Sequence, residues 1–106
     1  MRVHFIAIGG SAMHSLALAL QRRGDKVTGS DDAIFEPSKS RLADAGLLPD
    51  RMGWDANRVT ADIDGVVLGM HARGNNPELI EAQSLGIQIW SYPEFQIGRA
   101  SCRERV

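Results

Sequence analysis

At 106 residues the chain is long enough for one domain with one core. Its 43% hydrophobic and 24% charged residues suit a globular protein, and a net charge of -1 gives no sign of a nucleic-acid or anionic-membrane partner. The longest apolar run, Leu16 to Leu20, cannot cross a bilayer, no signal-peptide pattern opens the chain, and a single cysteine, Cys102, excludes an internal disulfide. A cytoplasmic protein, with no nucleic-acid or membrane partner, is expected.

Val3 to Ile8 is an apolar, β-branched run that reads as a buried strand. Gly9-Gly10 ends it, and Ser11 suits the N-cap of a helix reaching about Arg23. Ala12, Leu16, Ala19 and Leu20 share one face of that helix and predict its buried side. Arg22 and Arg23 suit the negative end of the dipole, and Gly24 the position just beyond. Lys26 to Gly29 is the second strand. "EPSKSRLADAG" predicts a second helix, with Pro37 in its first turn and Gly46 closing it. "RMGW", 51–54, reads as a short edge strand, and Asp55 to Thr60 as one helical turn. Asp64 to Leu68 is a fourth strand. Pro77 opens a third helix, Gly86 closes it, "IQIW" is a fifth strand, and "YPEF" starts a further element. Alternating strands and helices, with strands apolar on both faces, imply an α/β fold. The expected form is a Rossmann-like parallel sheet of about five strands, order 3-2-1-4-5, with helices on both faces and binding loops at the carboxyl ends of the strands.

The loop Gly9, Gly10, Ser11, Ala12, Met13, His14 joins a strand to a helix start, where unpaired N–H groups and the dipole favour an anion such as phosphate. The dinucleotide fingerprint G-x-G-x-x-G is incomplete, because Ala7 and Ala12 stand at its first and third glycines. A tight turn without ligand is the plain alternative. "GSDD" ends the second strand with Ser30, Asp31 and Asp32. Asp31 follows Gly9 by 22 residues, the distance at which an acid meets a ribose hydroxyl, while a cap for the next turn is the other reading. "GMHARGNNPE" follows the fourth strand and brings His71, Ala72 and Arg73 to the switch point between strands one and four. Arg73 suits a diphosphate and His71 a sugar or phosphate, whereas Asn76 is read as the cap of the helix that Pro77 begins. His4 is expected to be a partnered structural histidine, His14 to face ligand or solvent, and Trp54 and Trp90 to pack. No spacing reads as a metal site, and no nucleophile with an evident base is present, so neither metal nor catalytic residues are expected.

The last ten residues, "IGRASCRERV", hold three of the twelve basic residues and the only cysteine. They back-translate as ATC GGA AGA GCG TCG TGT AGG GAA AGA GTG, which resembles a sequencing-library adapter read in frame; a solvated helix end is the plain alternative. Residues 1–96 are therefore expected to form the native domain, a fragment of a longer protein, and 97–106 an adapter-derived tail. Sequencing the intact locus checks this, since the tail continuing in frame would contradict it.

Four separated stretches, "HFIAIGGSAMHSLALAL", "VTGSDDAIFEPSKSRLADAGLL", "VVLGMHARGNNPELIEAQSLGI" and "SYPEF", resemble in order the N-terminal domain of the Mur ligases. These ATP-dependent enzymes extend the peptide of the bacterial cell-wall precursor. The likeness spans residues 1 to about 95. It is nearest to the recycling branch that adds a tripeptide to UDP-N-acetylmuramate, with the L-alanine-adding branch as near relative; the latter typically shows a more glycine-rich loop and a serine-rich segment in place of "GMHAR". The resemblance implies a UDP-N-acetylmuramate-binding domain. Gly9 to Met13 would hold the diphosphate, Asp31 and its neighbours would border the uridine, and the "MHAR" loop would line the other side. In the family a central domain with a G-x-x-G-K-T/S phosphate loop phosphorylates the muramoyl carboxylate, and the incoming amine attacks the acyl phosphate. That motif does not occur in these 106 residues, so ATP and Mg are expected only in the full-length protein, with its central and C-terminal ligase domains. The fragment alone is not expected to catalyse. Two rival readings are an NAD(P)-binding domain of an oxidoreductase and a non-catalytic ligand-sensing module.

Overall fold

A computed structural model of the chain describes residues 2–49, 51–69 and 75–91. The elements run β1 (Arg2–Ile6), α1 (Ser11–Arg23), β2 (Lys26–Ser30), α2 (Ser38–Asp44), a 3₁₀ turn (Ala56–Arg58), β3 (Gly65–Leu68), α3 (Pro77–Ser84) and β4 (Gln88–Ser91). The four strands among the described residues form one sheet, all parallel, in the order β2-β1-β3-β4. Phe5 stands opposite Gly29 on one side and Val67 on the other, and Val67 in turn opposite Trp90.

Strand side chains alternate between faces, so β1 feeds two cores. Val3 and Phe5 join Val67, Met13, Ala17 and Leu20 of α1, and Leu42 of α2. Ile6 joins Val66, Val59, and Leu79 and Ala82 of α3. Phe5, Ile6 and Ile8 are fully buried. Each such side chain contributes about 1.5–3 kcal/mol through removal from water. Trp54 and Trp90 are partly buried against these clusters, as packing residues.

Two expectations need correction. The expected edge strand at 51–54 does not form among the described residues: 51–53 are bends, Gly53 has a φ of 105°, and its N–H donates to the Asp31 carbonyl at 2.7 Å. The Arg58 guanidinium takes the carbonyls of Arg51 (2.8 Å) and Gly53 (2.7 Å), so two acceptors a ladder would need are already bonded. Among the described residues the sheet is therefore the expected order without its outermost strand, four strands rather than five. A cleft of about 400 Å³ lies along that edge, between Val27–Gly29 on one side and Gly46–Pro49, Arg51, Asp55, Asn57 and Arg58 on the other. The buried face of α1 is also rotated: Met13, His14, Ala17 and Leu20 point inward, whereas Ala12 and Ala19 are exposed.

The punctuation reads as expected at most ends. Gly24 adopts a φ of 104° and closes α1, and Gly86 (φ 72°) follows α3. Asn76 caps α3, its Oδ1 accepting from the N–H of Glu78 at 2.9 Å and of Leu79 at 3.4 Å. α2 starts at Ser38, with Pro37 at its N-cap. No helix among the described residues is long and apolar enough to cross a membrane.

Candidate functional site

The carboxyl ends of β1 and β2 meet at the start of α1. β1 stops at Ile6, and Ala7 turns the chain with a φ of 73°. The Ala7 and Ile8 N–H groups both donate to the Ser30 carbonyl, at 2.9 and 3.0 Å, which ties the turn to the end of β2. Gly10 is the N-cap of α1 and offers no side-chain cap; Ser11, the residue expected there, is the first residue of the helix. Among the described residues, nothing in the protein accepts from the backbone N–H groups of Ser11, Ala12 or Met13. Free donors at the positive end of a thirteen-residue helix suit an anion.

Gly9 serves a different neighbour. Its N–H donates to Asp31 Oδ2 at 2.8 Å, and a Cβ there would lie 2.8 Å from both that oxygen and Ile34 Cγ1. Gly10 has room for a side chain, the nearest atom being 3.5 Å from a Cβ. The Asp31 carboxylate also accepts from the Asp32 N–H at 2.8 Å and is almost wholly buried. Burial pushes its carboxyl above the usual range, with the Asp32 side chain acting the same way and the amide N–H groups of Gly9, Asp32 and Ala33 working against them. The Asp31 charge thus sits beside the helix start, held there by the glycine loop. Asp32 is exposed.

His14 is buried rather than turned to solvent. Its Nδ1 is 3.0 Å from the Gly10 carbonyl and 3.1 Å from Ser38 Oγ, and its Nε2 is 3.4 Å from Arg41 Nη1. Ser30 faces the opposite side of the sheet, where its hydroxyl donates to Glu78. There Glu78 also meets His4 Nε2 at 2.6 Å, the Asp55 N–H at 3.0 Å and Arg58 Nη1 at 3.5 Å, while His4 Nδ1 is 2.8 Å from Thr28 Oγ1. Burial drives the Glu78 carboxyl upward, but the bonds from His4, Ser30 and the Asp55 amide outweigh it and leave it below the ordinary value. His4 is thus the partnered structural histidine expected. His71, Ala72 and Arg73 lie outside the described residues, as do "YPEF" and the tail.

Ser38, Arg41 and Glu78 escape a reading of the sequence. Ser38 and Arg41 look like surface residues of a short helix, and Glu78 like a carboxylate serving the dipole of α3. One signal was available: a histidine inside an apolar strand needs a buried partner, and the acid after Asn76-Pro77 is a suitable one.

Residues 2–97 match the family model described as Mur ligase family, catalytic domain. The chain belongs to the Mur ligase family. Among relatives of this Mur ligase chain, a UDP-N-acetylmuramate–L-alanine ligase of Rubrobacter xylanophilus is 40% identical over 89 residues, 84% of this chain and 19% of that protein. The crystal structure of the UDP-N-acetylmuramate–alanine ligase of Thermotoga maritima superposes with a TM-score of 0.79 at 25% identity, over 98% of this chain and 23% of that one. A murein peptide ligase of Psychrobacter arcticus gives 0.76 at 32% identity, over 88% and 19%. The chain spans about a fifth of the length of the curated relatives it matches. Both branches weighed from the sequence, L-alanine-adding and peptide-adding, are therefore represented among its likenesses.

Proposed function

We propose that this Mur ligase chain binds UDP-N-acetylmuramate, as the nucleotide-sugar domain of a cytoplasmic, ATP-dependent ligase that builds or recycles peptidoglycan precursors. The observation that carries the reading is the set of N–H groups at Ser11, Ala12 and Met13 that have no acceptor among the described residues, placed by a glycine loop at the carboxyl end of β1. A diphosphate is a strong acceptor with spread negative charge, and such a helix start receives it without rearrangement. Asp31 and Asp32 at the end of β2 border the uridine in this reading, and the family resemblance assigns its other side to His71, Ala72 and Arg73, which lie outside the described residues. The relatives' names support the ligand, since they join UDP-N-acetylmuramate to L-alanine. Residues 1–96 are the binding domain, 97–106 the adapter-derived tail, and ATP and Mg belong to the remaining length of the protein.

Calorimetric titration of the 106-residue chain with UDP-N-acetylmuramate and with NAD tests the reading. Saturable binding of the UDP-sugar is expected, and binding of NAD in its place would overturn it. Gly10→Asp adds bulk and negative charge at a position with room for a Cβ, so the sheet should persist while binding is lost. Undiminished affinity in a folded Gly10→Asp variant would mean that the diphosphate lies elsewhere.

A further inference from the structure

The start of α1 has no side-chain cap, yet its N-cap carbonyl is doubly held by one residue. The Gly10 carbonyl accepts from the His14 backbone N–H at 2.8 Å, and the His14 ring places Nδ1 3.0 Å from the same oxygen. From α2, Ser38 Oγ stands 3.1 Å from that Nδ1, and Arg41 Nη1 3.4 Å from Nε2. A carbonyl only accepts and a guanidinium only donates. Together they select the ring tautomer with its proton on Nδ1, donating toward Gly10, while Nε2 accepts from Arg41. The ring is 3% exposed, so it has little freedom to turn away.

The Gly10 carbonyl and the Ser11 N–H belong to one rigid peptide plane and point in opposite directions. Holding the carbonyl from inside the helix aims the Ser11 N–H outward, at the place where an anion binds. We propose that His14, braced by Ser38 and Arg41, is a positioning residue that pre-orients the first free donor of α1 for the diphosphate. The inference rests on the ligand reading above. It makes α2, which has no other part in that reading, a support of the phosphate site.

The test compares the 106-residue chain with His14→Ala, His14→Asn and Arg41→Leu. Two titrations are run: calorimetry with UDP-N-acetylmuramate, and inorganic pyrophosphate followed by the amide resonances of Ser11, Ala12 and Met13. His14→Ala is expected to bind the UDP-sugar about 10-fold more weakly and to blunt the pyrophosphate shifts, the scale of one lost hydrogen bond. His14→Asn keeps an N–H near the Nδ1 position and should recover most of the affinity. Arg41→Leu, a change at an exposed residue, should weaken binding about 3-fold and covers the case in which His14→Ala does not fold. Equal affinity in folded His14→Ala, or in Arg41→Leu where His14→Ala does not fold, overturns the proposal. So does a His14→Asn variant no better than His14→Ala. A chain that ignores the UDP-sugar but shows His14-dependent pyrophosphate shifts would overturn the ligand reading alone. Absence of both UDP-sugar binding and any pyrophosphate shift would overturn both readings, and UDP-sugar binding that leaves the Ser11, Ala12 and Met13 amides unshifted would overturn the role given to His14.

Discussion

Ala7 holds a left-handed backbone, with a φ of 73°, at the position where a dinucleotide fingerprint has its first glycine. A side chain there costs about 1–2 kcal/mol in sterics. The turn keeps its shape because its N–H groups bond Ser30 and because Gly69 leaves room for the Ala7 methyl. A Cβ on Gly69 would lie 2.8 Å from Ala7 Cβ and 3.1 Å from the Ile6 carbonyl oxygen. Gly69→Ala should therefore cost about 1–3 kcal/mol in a urea unfolding series. Ala7→Gly alone should change stability little, since relief of strain is offset by about 0.4–1 kcal/mol of added unfolded-chain entropy. In the Ala7→Gly background the Gly69→Ala cost should shrink by about 1 kcal/mol, and an unchanged cost would show that the two methyls do not meet.

The helices differ in how their first turns are satisfied. α3 is capped by Asn76 and begins with Pro77, whereas α1 has a glycine, Gly10, at its N-cap and leaves three N–H groups without a partner among the described residues. The first is an arrangement for stability, the second leaves room for a ligand. Asn76→Ala should lower stability by about 1 kcal/mol, and Asn76→Ser should retain most of it, read from the midpoint of thermal unfolding. If both substitutions cost the same, the cap bonds are not what holds α3. Strand-turn-helix order was legible here because Gly24, Gly86 and Pro77 mark element ends by backbone chemistry alone. The buried face of α1 was not legible. Alanine is as content exposed as buried, so Ala12 and Ala19 mimicked a core stripe that Met13, Ala17 and Leu20 in fact provide.

Across the whole molecule, the Glu78 carboxylate joins four elements through His4 of β1, Ser30 of β2, the amide of Asp55 before the 3₁₀ turn, and its own α3. Its carboxyl lies below the ordinary 4.5 in the folded chain. A group depressed in this way contributes stability that is fully present above the unfolded value and is lost as pH falls through the folded one. Glu78→Gln should cost about 2–4 kcal/mol at pH 7, with His4 and Arg58 left without their anion. That gap should close as pH falls below about 5, where the carboxylate is protonated. Asp31 has the opposite sign, because its raised carboxyl is ionised at a cost that acid relieves. Urea unfolding of both chains at a series of pH values is the check, and a gap that widened in acid would contradict the role given to Glu78.

The sequence by itself determined the α/β class, the parallel sheet, the end of β1 as a turn into a helix, and the family, because these rest on local chemistry: apolar runs, glycine and proline at the joints, and motifs in order. It also marked His4 and Asn76 for what they are, since each has one good structural use where it stands. Only the tertiary structure decided that Asp31 turns inward to the Gly9 amide, that His14 faces α2, that Glu78 anchors a buried network, and that 51–54 stays out of the sheet. Each of these depends on a partner more than 20 residues away or on carbonyls already claimed by Arg58, and a one-dimensional pattern holds no record of which distant donor reaches an acceptor first.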